Sequence, residues 1–223
     1  MPKEKVILFD TTLRDGQQTQ GVDFSVQDKI NIANALDNIG IDYIEGGWPG
    51  ANPTDTKFFE NKNNFSKAKF TAFGMTKRSG RSADNDPQLR SLIDAHSDSV
   101  CLVAKTWDFH VDLALGISLE ENVEAIKDSV LSVKASGKEA LIDCEHFFDG
   151  YKSNSEFSFK CIEAALESGA EWVVLCDTNG GTLPNEIFNI VNEITKKFPG
   201  DKIGIHCHND TENAVANSLA AID

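Results

Sequence analysis

A chain of 223 residues with 40% hydrophobic and 25% charged residues suits one large globular domain able to bury a sizeable core. Its formal net charge of −14 argues against a nucleic-acid or anionic-membrane surface, each of which needs a basic face. No apolar run approaches the roughly 20 residues of a membrane span, and the stretch from Met1 to Lys5 runs into a strand without a signal-peptide apolar region. The five cysteines are scattered with no Cys-x-x-Cys pair, which reads as reduced thiols in a cytoplasmic protein.

In chain order, Val6-Ile7-Leu8-Phe9 predicts the first strand, ending at Asp10. A helix follows from Ser25, where Asp28 three residues on makes a capping box, and stops at Gly40. Residues 41–45 predict the second strand, opening into the Gly46-Gly47-Trp48-Pro49-Gly50 loop; 69–73 the third, and 99–103 the fourth. Ser118 with Glu121 caps a helix whose Val123, Ile126, Val130 and Val133 follow helical spacing until Gly137. Residues 140–145 predict the fifth strand and 172–176 the sixth. Ile187, Ile190, Val191, Ile194 and Phe198 then form one apolar helical stripe. Lys202 to Ile205 reads as a seventh strand, and a last helix begins near Glu212.

Strand and helix alternate without a composition break, which means a parallel sheet covered by helices, doubly wound or closed into a barrel. The polar clusters favour the barrel. Asp10 to Gln18, Glu45, Lys105, Glu145, Asp177-Thr178 and His206 to Asp210 all fall at the C-terminal ends of successive strands, which a barrel gathers around one mouth. The expected fold is therefore an α/β (β/α)8 TIM barrel. Seven strands are counted where eight are needed, so residues 1–223 are expected to be its catalytic domain, truncated after the seventh strand and without C-terminal accessory or regulatory regions.

His206 and His208 carry the chemistry most visibly. At i and i+2 they project from one face of a strand, and two neutral imidazoles supply half of a metal coordination sphere. The alternative is a pair of structural histidines. An aspartate in the first strand-to-helix loop can complete the set, because the first and seventh strands are near neighbours in an eight-fold barrel. Such an N/O set suits zinc, manganese, magnesium or cobalt and does not choose among them. Arg14 offers a positive fork for a carboxylate or keto oxygen, or else a local salt bridge with Asp15 that caps the next helix. Lys77, Arg78 and Arg81 read as a solvated basic loop or a phosphate contact, and His96, His110 and His146 as packing or surface residues. Trp48 lines the pocket or packs beneath it. Glycines 46, 47, 50, 180 and 181 permit close backbone approach to a ligand.

Arg14-Asp15-Gly16-x-Gln18 together with His206-x-His208-Asn209-Asp210 resembles the signature pair of the metal-dependent lyase and Claisen-type acyl-CoA synthase barrels. That family includes 2-isopropylmalate synthase, homocitrate synthase, citramalate synthase and hydroxymethylglutaryl-CoA lyase. The loops after Glu45, Glu145 and Cys176 look most like the citramalate synthase branch. The resemblance implies Asp15, His206 and His208 as ligands of a divalent metal, with Arg14 polarising the keto oxygen of an α-keto acid. It implies Glu45 and Thr178 as substrate contacts, Gln18 as a contact beside the metal, and Glu145 as a participant in deprotonating the acetyl methyl group. Asp177 and Asp210 would fix ligand orientation. The implied reaction condenses acetyl-CoA with pyruvate to citramalate and CoA, towards isoleucine. The full-length protein would be a homodimer. A sister synthase acting on another α-keto acid, a carbon–carbon lyase and an inactive barrel fragment are the alternatives.

Overall fold

The computed structural model of the protein describes residues 5–61 and 63–223. Met1 to Glu4, part of the N-terminal stretch considered above, lie outside the described residues. The elements are β1 (Phe9–Asp10), α1 (Val26–Ile39), β2 (Tyr43–Gly47), α2 (Pro53–Glu60), β3 (Lys69–Met75), α3 (Pro87–Asp94) and β4 (Ser99–Lys105). They continue with α4 (Leu119–Ala135), β5 (Glu139–Glu145), α5 (Phe147–Glu167), β6 (Trp172–Asp177), α6 (Pro184–Thr195), β7 (Ile203–Cys207) and α7 (Ala214–Ile222). All seven strands run parallel in the order β1 to β7.

The expected capping box is present at α1, where the Ser25 hydroxyl accepts from the Asp28 amide and the Asp28 carboxylate accepts from the Ser25 amide. Such a cap contributes about 1 kcal/mol. The helix ends at Gly40, whose φ of 92° is the left-handed conformation that a C-terminal stop requires. Ser118 likewise caps α4 through the Glu121 amide.

Alternation along β5 separates two environments. Ala140, Ile142 and Cys144 join the helix-facing core with Leu102, Ile126, Val130, Ile162, Val173 and Leu175, all buried. Leu141 joins Tyr43, Phe73 and Cys101 in a smaller inner cluster. Asp143 and Glu145 continue the inner face towards the strands' C-terminal ends. Burial of each large apolar side chain contributes roughly 2 kcal/mol.

The sheet is strongly curled. Six steps of about 4.8 Å across a flat sheet would hold β1 and β7 roughly 29 Å apart. Instead Asp15, just after β1, meets His206 of β7 at 3.4 Å. The seven strands thus form most of a barrel wall. Its two edges, β1 and β7, flank a groove of about 1430 Å³ lined in part by Ile7, Phe9, Tyr43, Trp172, Ile205 and Ile222.

The first strand is shorter than its apolar run predicts. Val6 and Leu8 are half exposed, and the ladder with β2 covers only Phe9 and Asp10. Leu8 belongs to the approach instead: its carbonyl accepts from the amides of Asp42 and Tyr43, and its amide donates to the Asp42 carboxylate. Among the described residues no helix is long and apolar enough to cross a membrane.

Candidate metal centre and its arginine

The loop after β1 is locked by its own polar groups. The Asp10 carboxylate accepts from the amide and hydroxyl of Thr12. The amides of Arg14, Asp15 and Gly16 all converge on the Thr11 carbonyl, at 3.1, 2.8 and 3.1 Å. Leu13, fully buried, anchors the turn in the core and leaves Arg14 and Asp15 facing the barrel mouth.

Asp15 divides its two oxygens. Oδ1 accepts from Arg14 Nη1 at 3.0 Å, and Oδ2 lies 3.4 Å from Nε2 of both His206 and His208. Both imidazoles reach Asp15 from the same side of β7, with His206 inside the strand and His208 one step past its end, where its amide donates to the Asp177 carbonyl. The one-carboxylate, two-imidazole donor set has all its ligand atoms within 4.8 Å of one another. Donors bound at about 2.1 Å to one cation stand about 3 to 3.5 Å apart, so this spacing fits a divalent ion. Hydrogen bonds from His206 and His208, helped by Arg14 and opposed by burial, hold the Asp15 carboxyl far below its ordinary value. The Asp15 contact in turn raises His208.

Arg14 sits among three carboxylates. Its Nε donates to Glu45 at 2.6 Å, and its Nη2 lies 3.9 Å from Asp143. Burial works against the guanidinium charge, but Glu45, Asp15 and Asp143 outweigh it and hold Arg14 above its ordinary pKa. Burial pushes Glu45 up to about 7, Arg14 opposing and Asp143 reinforcing the shift. Burial also raises Asp143. One oxygen of each, Glu45 Oε1 and Asp143 Oδ1, is buried without a hydrogen-bond partner. Three carboxyls crowd one guanidinium here, and a bound cation would relieve their mutual repulsion.

The Glu145 carboxylate pairs with Lys105, one strand over, and not with Arg14. Thr178 Oγ1 accepts from the His146 amide at 2.8 Å, and a hydroxyl so placed keeps its own proton to donate. Gln18 is exposed on a short 3-10 turn. The Asp177 carboxylate is buried and turned to Thr182 and Asn217, so its carbonyl, not its side chain, is what touches His208. Asp210 packs against Gly180.

His146 and Trp48 are packing residues, one of the readings their sequence positions allow. His146 leaves the strand in a left-handed conformation, φ 52°, with its ring edge-on to His110 at 4.4 Å. Trp48 packs edge-on to Phe73, whose ring lies beneath Arg14, so it supports the site from below. Four of the five glycines expected to admit a ligand face protein instead: Phe70 at Gly46, Asp55 at Gly47, Ser91 at Gly50 and Asp210 at Gly180. The sequence reading also missed Asp143, Phe73 and the buried Lys29. Asp143 carried a usable signal, since it stands two residues before Glu145 and breaks an apolar strand.

A curled parallel β/α wall with a candidate divalent-metal centre at the C-terminal ends of its first and last strands defines a metal-binding barrel class. Residues 5–223 match the HMGL-like family, and the chain belongs to it. It is 54% identical to the (R)-citramalate synthase of Aquifex aeolicus over 98% of this chain and 42% of the relative. To that of Geobacter sulfurreducens it is 52% identical over 97% of this chain and 41% of the relative. The 2-isopropylmalate synthase of Sulfolobus acidocaldarius is more distant, at 33% over 98% of this chain and 54% of the relative. The chain thus spans about two fifths of the citramalate synthases it matches. The crystal structure of the Bacillus subtilis HMG-CoA lyase shares the fold with a TM-score of 0.82 at 20% identity, covering all of this chain and 75% of that one.

Proposed function

We propose that this chain is the metal-binding catalytic region of an enzyme that condenses acetyl-CoA with pyruvate to give citramalate and CoA. The observation that carries the choice of keto acid is the step in similarity. Five (R)-citramalate synthases match at 41 to 54% identity, against 31 to 33% for the 2-isopropylmalate synthases.

The condensation removes a proton from the acetyl methyl group and joins that carbon to the keto carbon of pyruvate. The keto oxygen becomes a hydroxyl, and water releases CoA from the thioester. In this reading Asp15, His206 and His208 hold a divalent cation, zinc, manganese, magnesium or cobalt. When bound, the cation supplies Lewis-acid charge towards the oxygens of the keto acid. Arg14 directs fixed positive charge at the oxygen on which negative charge develops. Its orientation needs no reorganisation, because Glu45 and Asp15 already hold its fork. Thr178 donates a hydrogen bond to the substrate carboxylate, and Gln18 contacts the substrate from the loop. Glu145, paired with Lys105, takes part in removing the methyl proton. Asp177 and Asp210 brace the loops that present the histidines. The free cysteines and the absence of a membrane-crossing helix among the described residues are compatible with a cytoplasmic enzyme.

The test is release of free CoA by the full-length protein from acetyl-CoA with pyruvate, 2-oxoisovalerate or 2-oxoglutarate in turn, with added divalent metal. Fastest turnover is expected with pyruvate; fastest turnover with 2-oxoisovalerate would overturn the assignment. Asp15→Ala is expected to lose bound metal, and undiminished metal content in that variant would refute the ligand set.

A further inference from the structure

Lys29 lies on α1, fully buried, with its ammonium spent on three acceptors. It donates to the Leu13 carbonyl at 2.8 Å and to the Gly46 carbonyl at 3.0 Å, and it forms an ion pair with Asp55 of α2. Leu13 immediately precedes Arg14, and Gly46 immediately follows Glu45. One ammonium therefore ties together the main chain on either side of the Arg14–Glu45 contact. Asp55 extends the tie, because its other oxygen accepts from the Trp48 amide at 2.8 Å and from Asn52 at 2.9 Å. Trp48 supports Phe73, and Phe73 lies under the Arg14 guanidinium.

The cost of this arrangement is informative. An ammonium and a carboxylate taken out of water lose several kcal/mol of hydration each, and well-packed apolar residues commonly serve stability as well or better. Lys29 also falls on the buried face of α1 with Ala33, where an apolar side chain would satisfy packing alone. What an apolar residue cannot do is hold two carbonyls from different loops at one point.

We propose that Lys29 and Asp55 form a positioning pair that sets Arg14 against Glu45 at the mouth of the barrel. Neither touches the metal ligands. The proposal rests on Arg14 contacting the keto acid, as argued above, and it adds the residues that hold Arg14 in register.

The test compares wild type, Lys29→Met and the double variant Lys29→Met/Asp55→Asn in the full-length protein. Lys29→Met strands a buried carboxylate and is expected to lower Tm. In the double variant the charge is gone while the amide oxygen still accepts from the Trp48 amide, so most of the lost Tm is expected to return. The kinetic defect is expected to stay: kcat/KM for pyruvate about 10- to 100-fold below wild type at a temperature well under both melts. Amide hydrogen exchange is expected to rise about tenfold in residues 11–18 and 45–50, with none at Leu141 to Cys144. Wild-type kcat/KM and unchanged loop exchange in the double variant would overturn the proposal and make the pair merely structural. If wild type itself fails to turn over pyruvate, the functional assignment falls, and loop exchange still decides the role of Lys29. Should the double variant not fold, Asp55→Asn alone carries the test, and unchanged exchange in 45–50 would overturn the proposal there.

Discussion

Arg14 lies over the ring of Phe73, its guanidinium carbon 3.9 Å from the ring centroid, while carboxylates occupy its edge. The negative face of the ring adds a fourth favourable neighbour without adding another charge to desolvate. Phe73→Leu keeps most of the apolar volume and removes that face. We expect a loss of about 1 to 2 kcal/mol in urea unfolding. Unchanged stability would reduce Phe73 to a space filler.

Glu45 is fully buried and holds Arg14 at 2.6 Å. Glu45→Gln keeps the shape and leaves the buried guanidinium with weaker compensation. A destabilisation of about 3 kcal/mol is expected by chemical denaturation. A loss below about 1 kcal/mol would mean that Asp15 and Asp143 already suffice for the charge.

Asp37, at the end of α1, accepts from the amides of Ser66, Lys67 and Ala68 and from the Ser66 hydroxyl. Burial opposes the charge, but these bonds prevail and lower its pKa from 3.8 to about 2. A carboxyl with a depressed folded pKa stabilises the fold above its unfolded value and loses that contribution as pH falls through the folded one. Stability should therefore drop between about pH 4 and pH 2. Asp37→Asn is expected to cost about 2 kcal/mol at neutral pH and to flatten this acid limb. Equal slopes for variant and wild type in a pH series of melts would exclude Asp37 as their source.

Gly47 and Gly21 separate two reasons for a glycine. Both have positive φ, 136° and 84°. A Cβ at Gly47 would meet the Asp55 carboxylate at 2.5 Å, whereas one at Gly21 would meet nothing within 4 Å. Gly21→Ala should cost about 1 kcal/mol through backbone strain alone. Gly47→Ala should cost several times that, about 3 kcal/mol or more, by displacing Asp55 from the Trp48 amide. Similar losses in parallel thermal melts would contradict this difference.

Local rules made much of the wall legible. Ser25 with Asp28 and Gly40 bounded α1, and the i, i+2 spacing of His206 and His208 put both rings on one side of β7. Polar residues at strand ends pointed to a shared mouth, and Asp15 does meet both histidines there. What local rules could not supply was direction across the fold. Asp177 follows a strand as Glu145 does, yet its carboxylate turns to Thr182 because the chain folds back upon it within five residues. Gln18 follows the right motif and is exposed. Nothing local marks Lys29, since its acceptors come from three segments that meet only in the folded molecule. Val6 and Leu8 looked like strand interior, but a strand extends only as far as its neighbour pairs with it.

The contact of Asp15 with His206 and His208 joins the two ends of the wall, and this fixes an order of events. Every intervening strand must be laid down and the sheet bent round before those three side chains can meet, as in any contact of high sequence separation. A chain still being synthesised carries Asp15 long before His208 exists, so no partial product can own the centre. In the proposed ligand set, cation capture would follow closure of this wall, and a metal ion that arrived earlier would meet only isolated side chains with little hold on it.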